Sequence, residues 1–226
     1  MAQGLVGHWT FDGTDTLSSI SDRAGNGNNG YFYGGATSSA KTIGILGQAM
    51  NFNNSSTYVE TGTAASLQLP SAMSICAWVK PNTIVADPES DAIAVYLNSS
   101  GETAYGISLT DGDRLHFAWS SNSGAQEEHW YTDDDPILTG VWQHVCATRV
   151  DANTVEMYIN GSAQITENFG IASITTSSAT MQIGAAADFA TYYFDGAIDD
   201  VRVYNRTLTS AEVKQLYNLG QVKMTP

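Results

Sequence analysis

Positive charge is scarce in this sequence of 226 residues. Nine Lys and Arg stand against 23 Asp and Glu, a formal net charge of -14, and the basic residues form no cluster. Binding to nucleic acid or to an anionic membrane surface needs clustered positive charge, so we expect neither partner. A surplus of carboxylates favours hard cations such as calcium, although acidity also serves solubility.

Long apolar segments are missing as well. No stretch of 18 consecutive apolar residues occurs, and no positively charged start leads into an apolar segment. We therefore expect no membrane insertion, and we identify no signal peptide. The strand-like segment GLVGHWTF begins at Gly4, so we interpret the chain as a module cut from a longer secreted protein. The low charge content and the many Ser, Thr, Asn and Gly residues suit an extracellular or cell-surface location.

Only two cysteines are present, Cys76 and Cys146, each inside a strand-like segment. Two buried free thiols are the default interpretation. A disulfide between neighbouring strands in an oxidising compartment is the alternative, because sequence does not fix the Cα separation that bonding requires.

Several catalytic motifs are absent. No G-x-S-x-G sequence occurs, which argues against a serine nucleophile elbow. The four histidines show neither H-x-H nor H-E-x-x-H spacing, which argues against a zinc site.

The sequence does contain a regular series of short β-prone segments. Each is rich in β-branched or aromatic residues and is closed by Gly, Asn, Asp or Pro, which is typical of a sandwich or jelly roll. Because 42% of the residues are hydrophobic, enough for a sizeable core, we predict one all-β domain over residues 1–226. The predicted strands are 5–11, 49–52, 58–61, 73–80, 92–98, 105–110, 114–120, 142–150, 154–159, 181–183 and 196–204.

One short C-terminal helix interrupts this pattern. Thr209 and Glu212 have the spacing of a capping box, and Gly220 follows at the other end. The intervening AEVKQLYNL carries a narrow apolar stripe that would lie against the sandwich. By contrast, the Gly- and Asn-rich segment Ser21–Gly35 predicts a long ordered or ligand-binding loop.

Six segments in order resemble the LamG-like jelly-roll domain of the concanavalin A-like lectin and glucanase superfamily. The resemblance implies a two-sheet antiparallel jelly-roll sandwich in which the two chain termini pair as neighbouring strands. The segments are GLVGHWTFDG, DRAGNGNNGYFYGG, ILGQAMNFNNSSTYVE, MSICAWVKP, GVWQHVCATRVDANTVEMYINGSA and FDGAIDDVRVYNRTLTSAEVKQLY.

The resemblance also implies a structural calcium where the chain ends meet. Laminarinase-like relatives carry an aspartate just before a similar VRVY strand, which makes Asp200 our first predicted ligand. Asp12 is second and Asp22 third, with backbone carbonyls completing a site of roughly six to eight oxygens. In the alternative, Asp200 pairs with Arg202 or Arg206 and no metal is needed.

Strand alternation favours Asp200 over its neighbour Asp199. If Val201 and Val203 face the core, Asp199 shares their face and Asp200 points with Arg202 to the other. A carboxylate among valines would be costly.

Aromatic and polar residues in the second half of the chain are candidate carbohydrate contacts. Aromatic rings stack on the apolar faces of sugars, and carboxylates accept hydrogen bonds from hydroxyl groups. His116 is predicted on the strand face opposite Leu115, Phe117 and Trp119. In the alternative, the segment 127–135 is a solvated loop with its tryptophan tucked into the sandwich, or a second calcium loop. The predicted carbohydrate-binding residues are His116, Glu128, Trp130, Tyr131 and Asp133.

Three functions compete. We predict a non-catalytic carbohydrate-binding or adhesion module with a structural calcium, monomeric in isolation, whose partner is a polysaccharide or other glycan. The alternative is a glycoside hydrolase or polysaccharide lyase that uses carboxylates such as Asp113, Glu127 or Glu128, although the E-x-D-x-x-E motif of laminarinase-like relatives is absent. A protein-binding spacer in a surface adhesin is the third possibility.

Overall fold

The computed structural model describes residues 2–13, 19–34, 40–62, 65–69, 71–84, 91–97, 103–121, 126–132, 136–151, 154–168, 180–186 and 192–221, with backbone alone at 121, 126–128 and 165–168. These residues form eighteen strands and one α-helix. The strands are β1 Leu5–Trp9, β2 Ser19–Ile20, β3 Gly30–Tyr33, β4 Lys41–Ile43, β5 Gln48–Asn53, β6 Tyr58–Thr61, β7 Met73–Pro81, β8 Asp91–Leu97, β9 Thr103–Thr110, β10 Arg114–Ser121, β11 Gln126–Tyr131, β12 Gln143–Arg149, β13 Thr154–Ile159, β14 Ser162–Asn168, β15 Met181–Ile183, β16 Ala185–Ala186, β17 Tyr192–Tyr193 and β18 Asp195–Tyr204. The helix α1 is Ser210–Gln221.

The strands form two antiparallel sheets, which confirms the predicted fold class. Sheet 1 has the order β14-β13-β12-β7-β18-β5-β4, and β1 also pairs with β18. Sheet 2 has the order β11-β10-β9-β8-β15-β6-β3-β2, and β16 and β17 form a separate two-stranded ribbon. The two inner faces enclose a core that includes Trp9, Phe52, Phe117, Trp119 and Val145, all fully or almost fully buried.

The helix covers the outer face of sheet 1. The predicted capping box is confirmed, because Thr209 N donates to Glu212 Oε2 at 2.9 Å and Glu212 N donates to Thr209 Oγ1 at 3.3 Å. Val213 and Leu216 are buried against a second apolar cluster on that face. This cluster includes Cys76, Cys146, Tyr158 and Tyr204. In the described residues, no helix has the length and apolar character needed to cross a membrane.

The first and last strands pair, as predicted. Strand β1 lies antiparallel to the second half of β18, with Trp9 opposite Val201. Strand β5 pairs with the first half of β18, with Met50 opposite Ile198. Residues 199 and 200 therefore lie at the point where the partner of β18 changes from β5 to β1.

A β-bulge at this point corrects the predicted alternation. The register of β18 against β7 shifts between Asp199 and Arg202, and Asp200 has a φ of 50°. Asp199 is paired with Trp78, whose ring stacks on Tyr217 of the helix, and antiparallel partners share a sheet face. Asp199 consequently does not share the face of Val201. Because the bulge inserts an extra residue, both aspartates lie on the helix side of sheet 1.

The default interpretation of free thiols is wrong. Cys76 and Cys146 are direct cross-strand partners on β7 and β12, and a disulfide joins them. Their segments predicted the two strands but contained no signal for the register that sets them opposite each other.

The predicted loop Ser21–Gly35 contains a strand. Gly30–Tyr33 forms β3, which pairs with β6 on one side and β2 on the other. Three consecutive aromatic residues follow Gly30, and aromatic residues fit a pleated, half-buried surface. The preceding Gly and Asn residues hid this signal.

Candidate functional site

The outer face of sheet 2 gathers polar and aromatic side chains at one edge. In β10, Leu115, Phe117 and Trp119 enter the core, which confirms the predicted alternation and leaves His116 on the outer face. The neighbouring strands add residues to this face, because cross-strand partners point the same way. We call the set formed by Ser108, Arg114, His116, His129 and Tyr131 the histidine–tyrosine patch.

A buried imidazole lies at the centre of this patch. His116 is 2% exposed, with Nδ1 at 2.7 Å from Ser108 Oγ and Nε2 at 3.0 Å from His129 Nδ1. Burial is the largest cause that lowers the pKa of His116 to about 3, and the nearby His129 and Arg114 contribute to this shift. A neutral imidazole donates through one nitrogen and accepts through the other, so His116 orders both neighbours.

The aromatic ring of Tyr131 completes the patch. It lies nearly parallel to the His116 ring, with 4.8 Å between ring centroids, and the Arg114 guanidinium carbon lies 4.8 Å from its centroid. Arg114 is held in place by Asp111, whose Oδ1 accepts a bond from Arg114 Nη2 at 3.1 Å. Tyr131, His129 and Arg114 are all partly exposed.

The structure brings together two of the predicted carbohydrate contacts, His116 and Tyr131. Trp130 does not join them, because its side chain is 5% exposed and packs against Phe117 in the core. This placement corrects the prediction that its ring stacks on a sugar. The backbone of Glu128 pairs with Trp119. The Glu128 side chain and the whole of Asp133 lie outside the described residues.

At the other predicted site, Asp200 forms a buried ionic cluster. Its Oδ1 lies 2.6 Å from His8 Nε2, and its two oxygens accept bonds from Arg202 Nη2 and Nε at 3.0 and 2.9 Å. Burial alone would raise the pKa of Asp200, but the His8 hydrogen bond and the Arg202 charge outweigh it and leave the pKa lowered. The pairing with Arg202 is the one named in the metal-free alternative.

Asp22 organises the Gly- and Asn-rich segment before β3. Its Oδ1 accepts bonds from the backbone N–H groups of His8 and Ala24, and its Oδ2 accepts those of Asn26 and Asn28, at 2.8 to 3.1 Å. Both oxygens of this carboxylate therefore serve the backbone.

Two other carboxylates hold the turn between β4 and β5 from opposite ends of the chain. Asp12 Oδ1 accepts a bond from Gln48 N at 2.7 Å, and Asp199 Oδ2 accepts one from Leu46 N at 3.0 Å. A Cβ added at Gly44 would lie 2.4 Å from Asp199 Oδ2, and one at Gly47 would lie 2.1 Å from Asp12 Oδ1. At Gly44 the added Cβ would also lie 2.7 Å from the backbone carbon of Gln48, and Gly47 has a φ of 97°, so the turn needs glycine at both positions.

Asp199 is the least satisfied acid of this junction. It is fully buried, and its Oδ1 has no hydrogen-bond partner within the described parts of the chain. Burial is the largest cause that raises the pKa of Asp199 to about 7, and the charges of Asp200 and Asp12 contribute to this shift. Within the same residues, no three His, Cys, Asp or Glu side chains form a group that could hold a metal ion. The three predicted ligands, Asp12, Asp22 and Asp200, form no such group.

Sequence reasoning missed His129, Ser108 and Asp199. The spacing of His129 and Tyr131, two residues apart in EEHWY, was a signal for a shared strand face once β11 is recognised as a strand. Ser108 sits opposite His116 only through the register set by the Asp111-Gly112 turn. No local signal indicated the bulge that places the Asp199 side chain on the helix side of sheet 1, at the junction.

The stacked antiparallel sheets, with a polar and aromatic outer face, define a lectin-like jelly-roll domain. The chain belongs to the concanavalin A-like lectin/glucanases superfamily, since a laminin G domain model of that superfamily matches residues 53–214. No curated protein matches the sequence significantly.

Several solved structures with a similar fold are domains of larger proteins. The binding domain of Paraclostridial Mosquitocidal Protein 1 matches with a TM-score of 0.74 at 17% identity over 96% of this chain and 52% of its own. Domain 4 of AbnA, an extracellular GH43 arabinanase from Geobacillus stearothermophilus solved with arabinotriose, matches with a TM-score of 0.71 at 23% identity over 94% of this chain and 98% of its own. The binding domain of botulinum neurotoxin DC, solved with rat synaptotagmin II, matches with a TM-score of 0.72 at 14% identity over 96% and 52%.

This chain therefore spans about half the length of the two toxin binding domains. At these levels of identity the likeness establishes the fold alone.

Proposed function

We propose that the protein is a non-catalytic carbohydrate-binding module of a longer extracellular protein, and that it contacts glycan through the histidine–tyrosine patch. One observation carries the proposal: Tyr131, Arg114 and His129 are partly exposed side by side, while the buried Ser108–His116 pair orders them from beneath. Pre-ordered side chains lose little conformational entropy when a ligand binds.

The chemistry of the patch suits a hydroxyl-rich ligand. An aromatic ring face attracts the C–H groups of a sugar ring because of its negative quadrupole. Arg114 supplies guanidinium donors and His129 a ring nitrogen, and a few polar groups beside an aromatic surface are typical of small-molecule sites. The arabinotriose complex of AbnA domain 4 supports a glycan as the ligand class.

Secretion is supported by the disulfide. A Cys76–Cys146 bond persists in oxidising compartments and is rare in the cytosol. The hydrolase alternative names three carboxylates. Among its named carboxylates, Asp113 lies in the turn between β9 and β10 with a φ of 60°, and the side chains of Glu127 and Glu128 lie outside the described residues.

Replacing Tyr131 with alanine tests the carbohydrate site. In a panel of plant, algal and bacterial polysaccharides, we expect Tyr131→Ala to weaken binding of the best ligand about tenfold, because the ring contact is lost. Tyr131→Phe keeps the ring and should bind within about twofold of the parent protein. Isothermal titration gives both affinities. Failure of the parent to bind any glycan would contradict the proposal, as would equal binding by Tyr131→Ala.

We further propose a structural calcium at the junction, held by Asp199 and Asp12 together with backbone carbonyls. The buried Asp199 Oδ1, which has no donor among the described residues, supports this, because a cation would satisfy it and carboxylate and carbonyl oxygens are the ligands calcium prefers. Asp200 and Asp22, which the sequence predicted as ligands, are not part of this proposed site, because protein donors already bond to their oxygens.

Calcium titration separates these ligand sets. Saturating calcium should raise the melting temperature of the parent protein by roughly 5–10 °C over the chelated protein at pH 8. Asp199→Asn should lose this shift, because the amide carries no charge for the cation. Asp111→Asn, a control in the turn between β9 and β10 of the other sheet, should keep it. A shift that disappears in Asp22→Asn but survives in Asp199→Asn would contradict the ligand set.

A further inference from the structure

A second aromatic surface lies on sheet 2, four strand positions away from β10. The outer faces of β3 and β6 carry Tyr31, Tyr33 and Tyr58, which we call the tyrosine platform. The register places Tyr33 directly opposite Tyr58 and Tyr31 directly opposite Glu60. Four steps at the usual spacing of neighbouring strands separate β6 from β10 by about 19 Å.

The rings of the platform are ordered and yet open to solvent. Tyr33 and Tyr58 stack with 5.1 Å between centroids and 11° between planes, and Tyr193 lies 6.5 Å from Tyr58. Nevertheless Tyr33 is 42% exposed and Tyr31 is 52% exposed. Two large aromatic side chains this exposed, two residues apart on one strand face, form a surface that folding of the sandwich does not require.

Polar groups on the next strands define the chemistry at the edge of the platform. Glu60 lies between Tyr31 and Gln182 in one cross-strand row, and Gln182 Nε2 donates to Glu60 Oε2 at 3.3 Å. A carboxylate accepts hydrogen bonds from hydroxyl groups and repels anions. The net charge of -14 also disfavours an anionic ligand.

The β16–β17 ribbon separates this platform from the histidine–tyrosine patch. Ala186 packs on Ala92, Val95 and Leu97 of the outer face of β8, with Tyr192 against them. The ribbon therefore covers the middle of sheet 2 and leaves two distinct surfaces on either side of it.

We propose that the tyrosine platform is a second glycan-binding surface, specific for uncharged polysaccharide chains. The inference rests on the proposed function as a glycan-binding module, but it assigns a different surface and a ligand charge. Tyr31 and Tyr33 stack on sugar rings, and Glu60 accepts bonds from their hydroxyl groups. Two surfaces that engage one long chain raise its effective affinity, so polymers bind more tightly than short oligosaccharides.

Paired variants of the full chain test the platform. The probes are arabinan, xylan and mixed-linkage β-glucan as neutral polymers and polygalacturonate as an anionic one. We expect Tyr31→Ala/Tyr33→Ala to bind the best neutral polymer at least tenfold more weakly than the parent. Tyr31→Phe/Tyr33→Phe should bind within about twofold, because the rings remain.

The outcomes distinguish the two proposals. If the alanine pair binds a neutral polymer as tightly as the parent does, the proposal that the platform binds glycan is overturned, and the histidine–tyrosine patch remains as the proposed site. Absence of binding to every polymer overturns both proposals. Preference for polygalacturonate, weakened by salt, overturns the assigned ligand charge. If the parent protein self-associates with increasing concentration and the alanine pair does not, the platform is an interface between copies. This result also overturns the proposal of a glycan-binding platform.

Discussion

Replacing both Cys76 and Cys146 with alanine is expected to lower the free energy of unfolding by about 4 kcal/mol. The two residues are 70 positions apart in sequence, and cross-linking a loop of that length removes conformational entropy from the unfolded chain. In the folded protein the pair lies on the outer face of sheet 1, beneath Leu208 and the helix residues Val213 and Leu216. The loss should therefore appear chiefly as a lower urea midpoint.

A reductant provides the control for this prediction. Urea unfolding of the parent protein in dithiothreitol should approach the curve of the alanine pair, whereas the alanine pair itself should not respond to dithiothreitol. If the parent shows the same midpoint with and without reductant, the thiols are not bonded in solution.

Asp200→Asn is expected to cost roughly 3–5 kcal/mol, because it leaves the buried guanidinium of Arg202 without its carboxylate. The side chains of Asp200 and Arg202 are only 7% and 13% exposed. Asparagine tolerates the left-handed backbone at this position, where φ is 50°. The measured loss thus reports on the charge rather than on the backbone.

A second substitution separates ion pairing from metal binding. Asp200→Asn/Arg202→Met removes the unpaired charge and should recover most of the stability, since buried ion pairs are often replaceable by apolar groups. The cost of Asp200→Asn should be the same in calcium and in chelator. A cost that exists only in calcium would make Asp200 a ligand, as the sequence first suggested.

The stability that Asp200→Asn loses relative to the parent protein should depend on pH in a defined direction. The lowered pKa of Asp200 means that its contribution is fully present above the unfolded value of about 3.9 and is lost as the pH falls through the folded value. The difference in unfolding free energy between parent and Asp200→Asn should therefore be largest near neutral pH and shrink on acidification towards pH 3.

Sequence periodicity was sufficient to locate most of the strands that form the core. Leu115, Phe117 and Trp119 alternate with polar or small residues, and burial of one face fixes the register of such a strand. The capping box at Thr209 was equally local, since both partners lie within one turn. Strands β2 and β16, by contrast, are two residues long, too short for alternation to show.

The sites were less predictable because they depend on long-range register. His116 and Tyr131 were found because each occupies an alternating strand, but the contact between them needs the pairing of β10 with β11. The junction of Asp12 and Asp199 needs strands from both ends of the chain and a bulge that reverses the expected face. Trp130 was misassigned because an aromatic residue among acids looks exposed until its strand is recognised.

The location of β18 in the middle of sheet 1 sets the order in which the molecule can be assembled. The last strand pairs with β7 on one side and with β5 and β1 on the other, and Leu5 lies opposite Tyr204. A ribosome must release residue 204 before the first strand gains its neighbour. Contacts of such high sequence separation slow folding, so the centre of sheet 1 closes late in folding, after strands near both ends of this sequence have been synthesised.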